Sequence, residues 1–207
     1  DAMAADDIAR IQSFTAFGQE VFNKISASSK TTYAYLDGLA LGGGFELALA
    51  CDYRIATAKT VIAFPETGIG IYPGLGGTQR TSRLIGEGAA KYVVATGQFL
   101  TAKKAYQLGL VDDVIEAVFN REQLVNYQLD KAQAGMDKNV LAECDFYDFK
   151  GELNAQLFKA EKYQANEKSL RRKAPIALKM AMNLITAGAK ISLAQALELE
   201  LAGLSDI

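Results

Sequence analysis

Along residues 8–25 (IARIQSFTAFGQEVFNKI), Ile8, Ile11, Phe14, Phe17, Val21 and Phe22 recur near helical spacing, which predicts an amphipathic helix. The pattern then changes to short β-type runs. Residues 31–36 read as a strand, Asp37-Gly38 as a turn, and 39–41 as a second strand running into Gly42-Gly43-Gly44 and an apolar helical segment over 45–51. Two further short strands, 53–56 and 61–64, flank a Thr/Lys turn, and Pro65 ends the second. A glycine-dense loop from Gly68 to Gly77 precedes helices near 78–84 and 87–95, the latter closed by Gly97. Thr101 suits the N-cap of another helix that stops at Gly109, and 110–115 reads as the last strand.

From about Asn120 the strand and glycine signals fade. Pro175 stands where a first-turn proline belongs, opening a helix over 176–187. Ser192 and Gln195 have capping-box spacing, and Leu193, Leu197, Leu201 and Leu204 form an apolar stripe on the final helix, a pattern that packing alone accounts for. The stretch 137–164 is aromatic and charged without a clear period. The organisation expected is an α/β core over 1–118 and a helical region over 119–207.

Composition narrows the chemistry. Of 207 residues half are apolar, and 22 Lys+Arg against 24 Asp+Glu leave a formal charge of −2, which speaks against disorder and against a basic nucleic-acid-binding surface. Histidine is absent, which removes Ser-His-Asp hydrolysis, Cys-His proteolysis and His-ligated metals together. Two distant cysteines, Cys51 and Cys144, make no CxxC pair, so no metal site and no disulfide framework are expected. No apolar run has the length of a membrane span. The chain opens at Asp1 without a methionine and stops at Ile207 without a polar tail, so a segment of a longer polypeptide is expected.

Neither nucleotide-loop motif survives inspection: Gly68-Ile-Gly70-Ile-Tyr-Pro73 breaks the dinucleotide fingerprint at its third glycine, and GxxxxGK[ST] does not occur. The triple glycine at 42–44 admits two readings. It permits close packing of a helix on a sheet, or it lets a ligand approach free N–H groups at a helix start, as an oxyanion site requires. Glu46 then lies one turn into an otherwise apolar segment, where an ionised carboxylate is costly unless paired or used, although a first-turn glutamate is also favoured by the helix dipole. Glu66 follows Pro65 at the end of an apolar strand and opens the glycine loop. Two carboxylates near one oxyanion site could hold a water and move its proton, one as base and the other as acid.

These residues resemble the crotonase (enoyl-CoA hydratase/isomerase) superfamily. The match runs through Leu41-Gly-Gly-Gly-Phe-Glu46-Leu-Ala-Leu-Ala-Cys51-Asp52, then Pro65-Glu66, then Gly70-Ile-Tyr-Pro73-Gly74-Leu-Gly-Gly77-Thr-Gln-Arg80, and continues through Thr96-Gly97, Ala102, Ala105 and Gly109-Leu110-Val111. It is close over about residues 31–116 and looser beyond. The resemblance implies an α/β, crotonase-like spiral of ββα units followed by a helical C-terminal region that serves oligomerisation. It also implies syn addition of water to a 2-enoyl-CoA thioester. On that pattern Gly43 supplies an N–H to the thioester enolate, Glu46 and Glu66 hold and activate water, Gly74 is a loop glycine near that water, and Arg80 and Asp52 are structural.

Coenzyme A enters as part of the substrate, and no metal or separate cofactor is implied. A homotrimer or hexamer, a cytoplasmic or mitochondrial-matrix setting, and a fused 3-hydroxyacyl-CoA dehydrogenase all fit the pattern. Other reactions of the family, enoyl-CoA isomerisation or acyl-CoA hydrolysis, and a non-catalytic scaffold are the alternatives. Both glutamates being retained favours hydration. The family's second oxyanion donor comes from a Gly-Ala-Asp-like motif ahead of the first helix, at or before Asp1, so the 207 residues alone are expected not to hydrate.

Overall fold

The computed structural model describes residues 8–116, 119–127 and 136–206. Helix α1 (Ile8–Ser26) leads to strands β1 (Tyr33–Leu36) and β2 (Leu39–Leu41) and helix α2 (Gly43–Leu49). Strands β3 (Tyr53–Thr57) and β4 (Val61–Ala63) are followed by a 3₁₀ turn at Glu66–Gly68 and helices α3 (Gly77–Ile85) and α4 (Glu87–Thr96). Strand β5 (Leu100–Thr101), helix α5 (Ala102–Leu108) and strand β6 (Asp113–Ile115) complete the α/β part. Helices α6 (Arg121–Asn126), α7 (Lys138–Glu143), α8 (Glu161–Gln164), α9 (Glu167–Leu170), α10 (Pro175–Gly188) and α11 (Leu193–Ala202) follow.

The strands divide between two small sheets. One has the parallel order β1-β3-β6; the other has the order β2-β4-β5, with β2 and β4 parallel and β5 antiparallel. The first four strands therefore alternate between sheets, so that β1-β2-α2 and β3-β4-α3 are successive turns of a ββα spiral. The sequence pattern alone could suggest a hairpin at 53–64. Instead the turn is a corner: Thr60 Oγ1 donates to Leu36 O at 2.7 Å and accepts from Thr57 N at 3.1 Å, and Thr57 Oγ1 donates to Asp37 Oδ1 at 2.8 Å. These side chains satisfy the backbone where the chain leaves one sheet for the other.

Phe45, Ile62, Phe64, Val93, Val94 and Leu108 bury fully or nearly so at the centre of the α/β part. The aperiodic stretch 137–164 contributes an aromatic cluster in which Phe146 lies 4.7 Å from Tyr163, 5.2 Å from Tyr92 on α4 and 5.7 Å from Phe149. This is why no period is readable there: the segment packs through individual rings rather than through one helix face. The caps read from sequence form as expected, with Thr101 accepting from Lys104 N, Pro175 in the first turn of α10, and Ser192 and Gln195 closing the capping box of α11.

Helix α1 departs from expectation. Its buried residues are Thr15 and Gln19, whereas Phe14 and Phe17 are 70% and 64% exposed. Ile11, Val21, Phe22 and Ile25 are partly buried beside them, and Gln19 is drawn inward by acceptors for its Nε2, Gly74 O at 2.9 Å and Glu200 Oε1 at 3.3 Å.

Candidate active site

The glycine turn before α2 is shaped by Gly42, which takes φ +49° and donates to Ala63 O of β4 at 2.9 Å. Its carbonyl accepts from Phe45 and Glu46, so the amides of Gly43 and Gly44 fall in the first helical turn, where no intrahelical acceptor exists. Glu46, one turn in, is 2% exposed. Its Oε1 accepts two hydrogen bonds of 2.8 Å, from the N–H groups of Leu75 and Gly77. Its Oε2 lies 3.9 Å from where a Cβ on Gly43 would sit, so the second oxygen is turned toward the glycine turn.

Glu66 approaches the same turn from β4. Pro65 ends the strand and Glu66 begins the 3₁₀ turn, which Thr67 ties down by donating its hydroxyl to Val94 O at 3.2 Å and accepting Ala174 N at its carbonyl at 2.8 Å. The Glu66 side chain is 7% exposed, and a Cβ on Gly42 would stand 2.5 Å from its Oε1. The backbone angle calls for glycine at position 42, and a larger residue there would displace the Glu66 carboxylate. Glu66 Oε2 is buried with no hydrogen-bond partner. A buried carboxylate oxygen without a partner is costly, and such sites are commonly completed by water or by a ligand.

Burial dominates the titration of both groups. Glu66 is pushed up to about 7 by desolvation, its own backbone amide and the Lys173 ammonium pulling the other way. Glu46 is held well above the ordinary carboxylate range by desolvation and by the charges of Glu200 and Glu66, against the pull of the two amides. Two carboxyls that resist simultaneous ionisation retain a proton near neutral pH, the condition for one to give a proton while the other takes one.

Four positions were singled out from sequence, and the fold sets Gly43, Glu46 and Glu66 around one turn. Gly74 lies one residue before Leu75 in the loop that holds Glu46, and its carbonyl accepts from Gln19. Asp52 Oδ2 accepts from Thr32 N at 2.8 Å and Thr32 Oγ1 at 2.9 Å, and Arg80 donates to Ser26 Oγ and Asn23 Oδ1 on α1. Asp1, at or before which the second oxyanion donor is expected, lies outside the described residues. Cavities of about 590 and 730 Å³ are lined by Tyr92, Lys104 and Cys144 and by Lys91, Tyr147 and Lys190, and neither is lined by Glu46 or Glu66.

One buried carboxylate escaped the sequence reading. Glu200 on α11 is completely buried and accepts from Gly76 N at 2.5 Å and from the Thr78 hydroxyl. The signal was present, since position 200 lies three residues after Leu197 and four after Ala196, on the buried face. The same reasoning that picked out Glu46, a charge inside an apolar stripe, applies to it.

A ββα spiral carrying two buried carboxylates beside a glycine turn defines a class of protein, and comparison with known proteins agrees with it. The enoyl-CoA hydratase/isomerase family model matches residues 1–171, and the chain belongs to that family, within the crotonase superfamily. It is 48% identical over 103 residues to a crotonyl-CoA hydratase of Syntrophomonas wolfei, a match taking in 50% of this chain and 40% of that protein. It is 49% identical over 96 residues to the peroxisomal bifunctional enzyme of Danio rerio, 46% of this chain and 13% of that protein. Among solved structures, an enoyl-CoA hydratase from Rhodobacter sphaeroides superimposes with a TM-score of 0.74 at 24% identity, over 97% of this chain and 63% of that one, and so shares the fold. The chain thus matches about two fifths of the hydratase it resembles in sequence.

Proposed function

We propose that this chain carries the carboxylate pair of an enoyl-CoA hydratase, Glu46 and Glu66, which together add water across the 2,3 double bond of an enoyl-CoA thioester. The observation that carries the reading is the pair itself: two buried carboxylates against Gly42-Gly43, one of them with an unpartnered oxygen. In this reading a water sits between the carboxyls. One glutamate takes its proton as the hydroxyl bonds to the β carbon, and the other gives a proton to the α carbon. The pair ends with the same total charge with which it began.

Negative charge that builds on the thioester oxygen is met by the Gly43 N–H and by a second amide, which the reading assigns to the motif ahead of α1. Gly74 helps to shape the loop beside the water. The similarity to a crotonyl-CoA hydratase supports a short 2-enoyl thioester as first substrate to try, coenzyme A being part of the substrate rather than a resident cofactor. The helices from α10 onward, together with the exposed apolar positions of α1, support assembly as a homotrimer or a dimer of trimers. The test is hydration of crotonyl-CoA, followed through loss of its conjugated-thioester absorbance, with Glu46→Gln and Glu66→Gln assayed beside the parent. Loss of turnover in both variants supports the reading, and unchanged turnover in Glu46→Gln contradicts it.

A further inference from the structure

We propose that Glu200 is a positioning residue for the Glu46 carboxylate, acting from the last helix through the turn at 74–78. The turn presents consecutive amides in alternate directions. Those of Leu75 and Gly77 point to Glu46 Oε1, each at 2.8 Å, and the one between them, Gly76, points the opposite way to Glu200 Oε1 at 2.5 Å. Gly76 has φ +101°, the left-handed backbone that makes this alternation possible. Glu200 is tied at its other oxygen by the Thr78 hydroxyl and at Oε1 by Gln19 Nε2 at 3.3 Å, while Tyr72 donates its phenol to the Glu200 carbonyl at 2.5 Å. Three segments (α1, the loop before α3, and α3) therefore converge on one carboxylate of α11 that a purely apolar helix face would not contain.

That convergence accounts for a carboxylate at a wholly buried position whose neighbours Ala196 and Leu197 are apolar. An amide triplet clamped from both sides cannot rotate one N–H without rotating the next, so the Glu200 anchor fixes the direction of the two hydrogen bonds that orient Glu46. The charged and titratable groups that act on this cluster are Glu46 from α2, Glu66 from the 3₁₀ turn, Arg80 and Arg83 from α3, Tyr72 from the loop and Asp206 after α11. Glu200, pushed up to about 7 by burial, is also a like charge for Glu46. The inference rests on the proposed role of Glu46 for its catalytic meaning, but its structural content can be read without turnover.

The deciding experiment is amide hydrogen exchange on the full chain and on Glu200→Gln, which keeps the shape of the side chain while removing its charge and one acceptor. In parallel the Glu46 carboxyl is titrated by carbon NMR. We expect exchange at Leu75 and Gly77, which bond Glu46 and not Glu200, to quicken at least tenfold while Val93 and Val94 in α4 hold their protection. The Glu46 titration registers both changes, the lost like charge drawing it down and the loosened amides pushing it up. Acceleration confined to Gly76 and Thr78 overturns the proposal. Thr78→Val, which removes one tie and preserves volume, must produce the same exchange pattern to a smaller degree, and it decides the matter if Glu200→Gln fails to fold. Should both variants behave as expected while a polypeptide that also carries the motif ahead of α1 fails to hydrate crotonyl-CoA, the hydratase reading fails and the positioning role stands.

Discussion

At the scale of single residues, the site is an arrangement of carboxyls that are buried before they are charged. Folding raises Glu66 and Glu200 from 4.5 to about 7 and raises Glu46 as well, in each case chiefly by desolvation. The native state therefore holds more protons than the unfolded chain between pH 4.5 and about 7, and the stability contributed by these groups falls as pH rises through that window, then levels off. For Glu66 alone the change is about 3 kcal/mol. Asp37 and Asp52, held low by hydrogen bonds from Thr57 and Thr32, act in the opposite sense only at lower pH, where their protonation removes stability. Thermal unfolding should accordingly show a higher midpoint near pH 5 than near pH 7.5, with Glu66→Gln flattening the difference. A midpoint that rises steadily across this range would contradict the assigned burial.

At the scale of elements, the spiral depends on backbone that only glycine provides at a few close approaches. Gly151, with φ +82°, passes so near α10 that an added Cβ would lie 2.5 Å from Lys179 Cα, a backbone atom that cannot step aside. Gly151→Ala should cost about 2–4 kcal/mol in chemical denaturation, from backbone strain together with overpacking. A loss under 0.5 kcal/mol would mean that the approach is looser than described. Most elements were legible in the sequence because local signals agree with the fold: Thr101, Pro175 and Ser192 sit at helix starts, and Gly97 and Gly109 at helix ends. Glu46 and Glu66 were legible for the complementary reason, a charge set in apolar surroundings beside glycine. What was not legible depended on distant partners. β5 is two residues long and exists through pairing with β4, Gln19 of α1 is buried by its acceptors on the loop and α11, and Glu200 lies within a leucine stripe that packing alone accounts for.

At the scale of the molecule, the first sheet is pinned by a buried ion pair between β3 and the approach to β6. Arg54, 4% exposed, meets Asp112 at 2.8 Å and also donates to Leu110 O and Cys51 O. Asp112→Ala should cost about 3–5 kcal/mol, because the guanidinium would be left buried without its counter-charge. Equilibrium denaturation checks this, and a change below 1 kcal/mol would count against the pairing. Outside the core, Phe14, Phe17, Leu39 and Ile176 are each more than 60% exposed, and no helix of the described residues is long and apolar enough to cross a membrane. Light scattering should find a trimer or a multiple of one; a monodisperse monomer contradicts the assembly proposed. The central claim, however, concerns the two glutamates. Its most direct test is crotonyl-CoA hydration by the polypeptide that carries these residues, at equal concentrations of parent, Glu46→Gln and Glu66→Gln. General acid–base roles predict that each substitution lowers kcat by about 100-fold or more. Turnover in either variant within a few-fold of the parent would contradict the account.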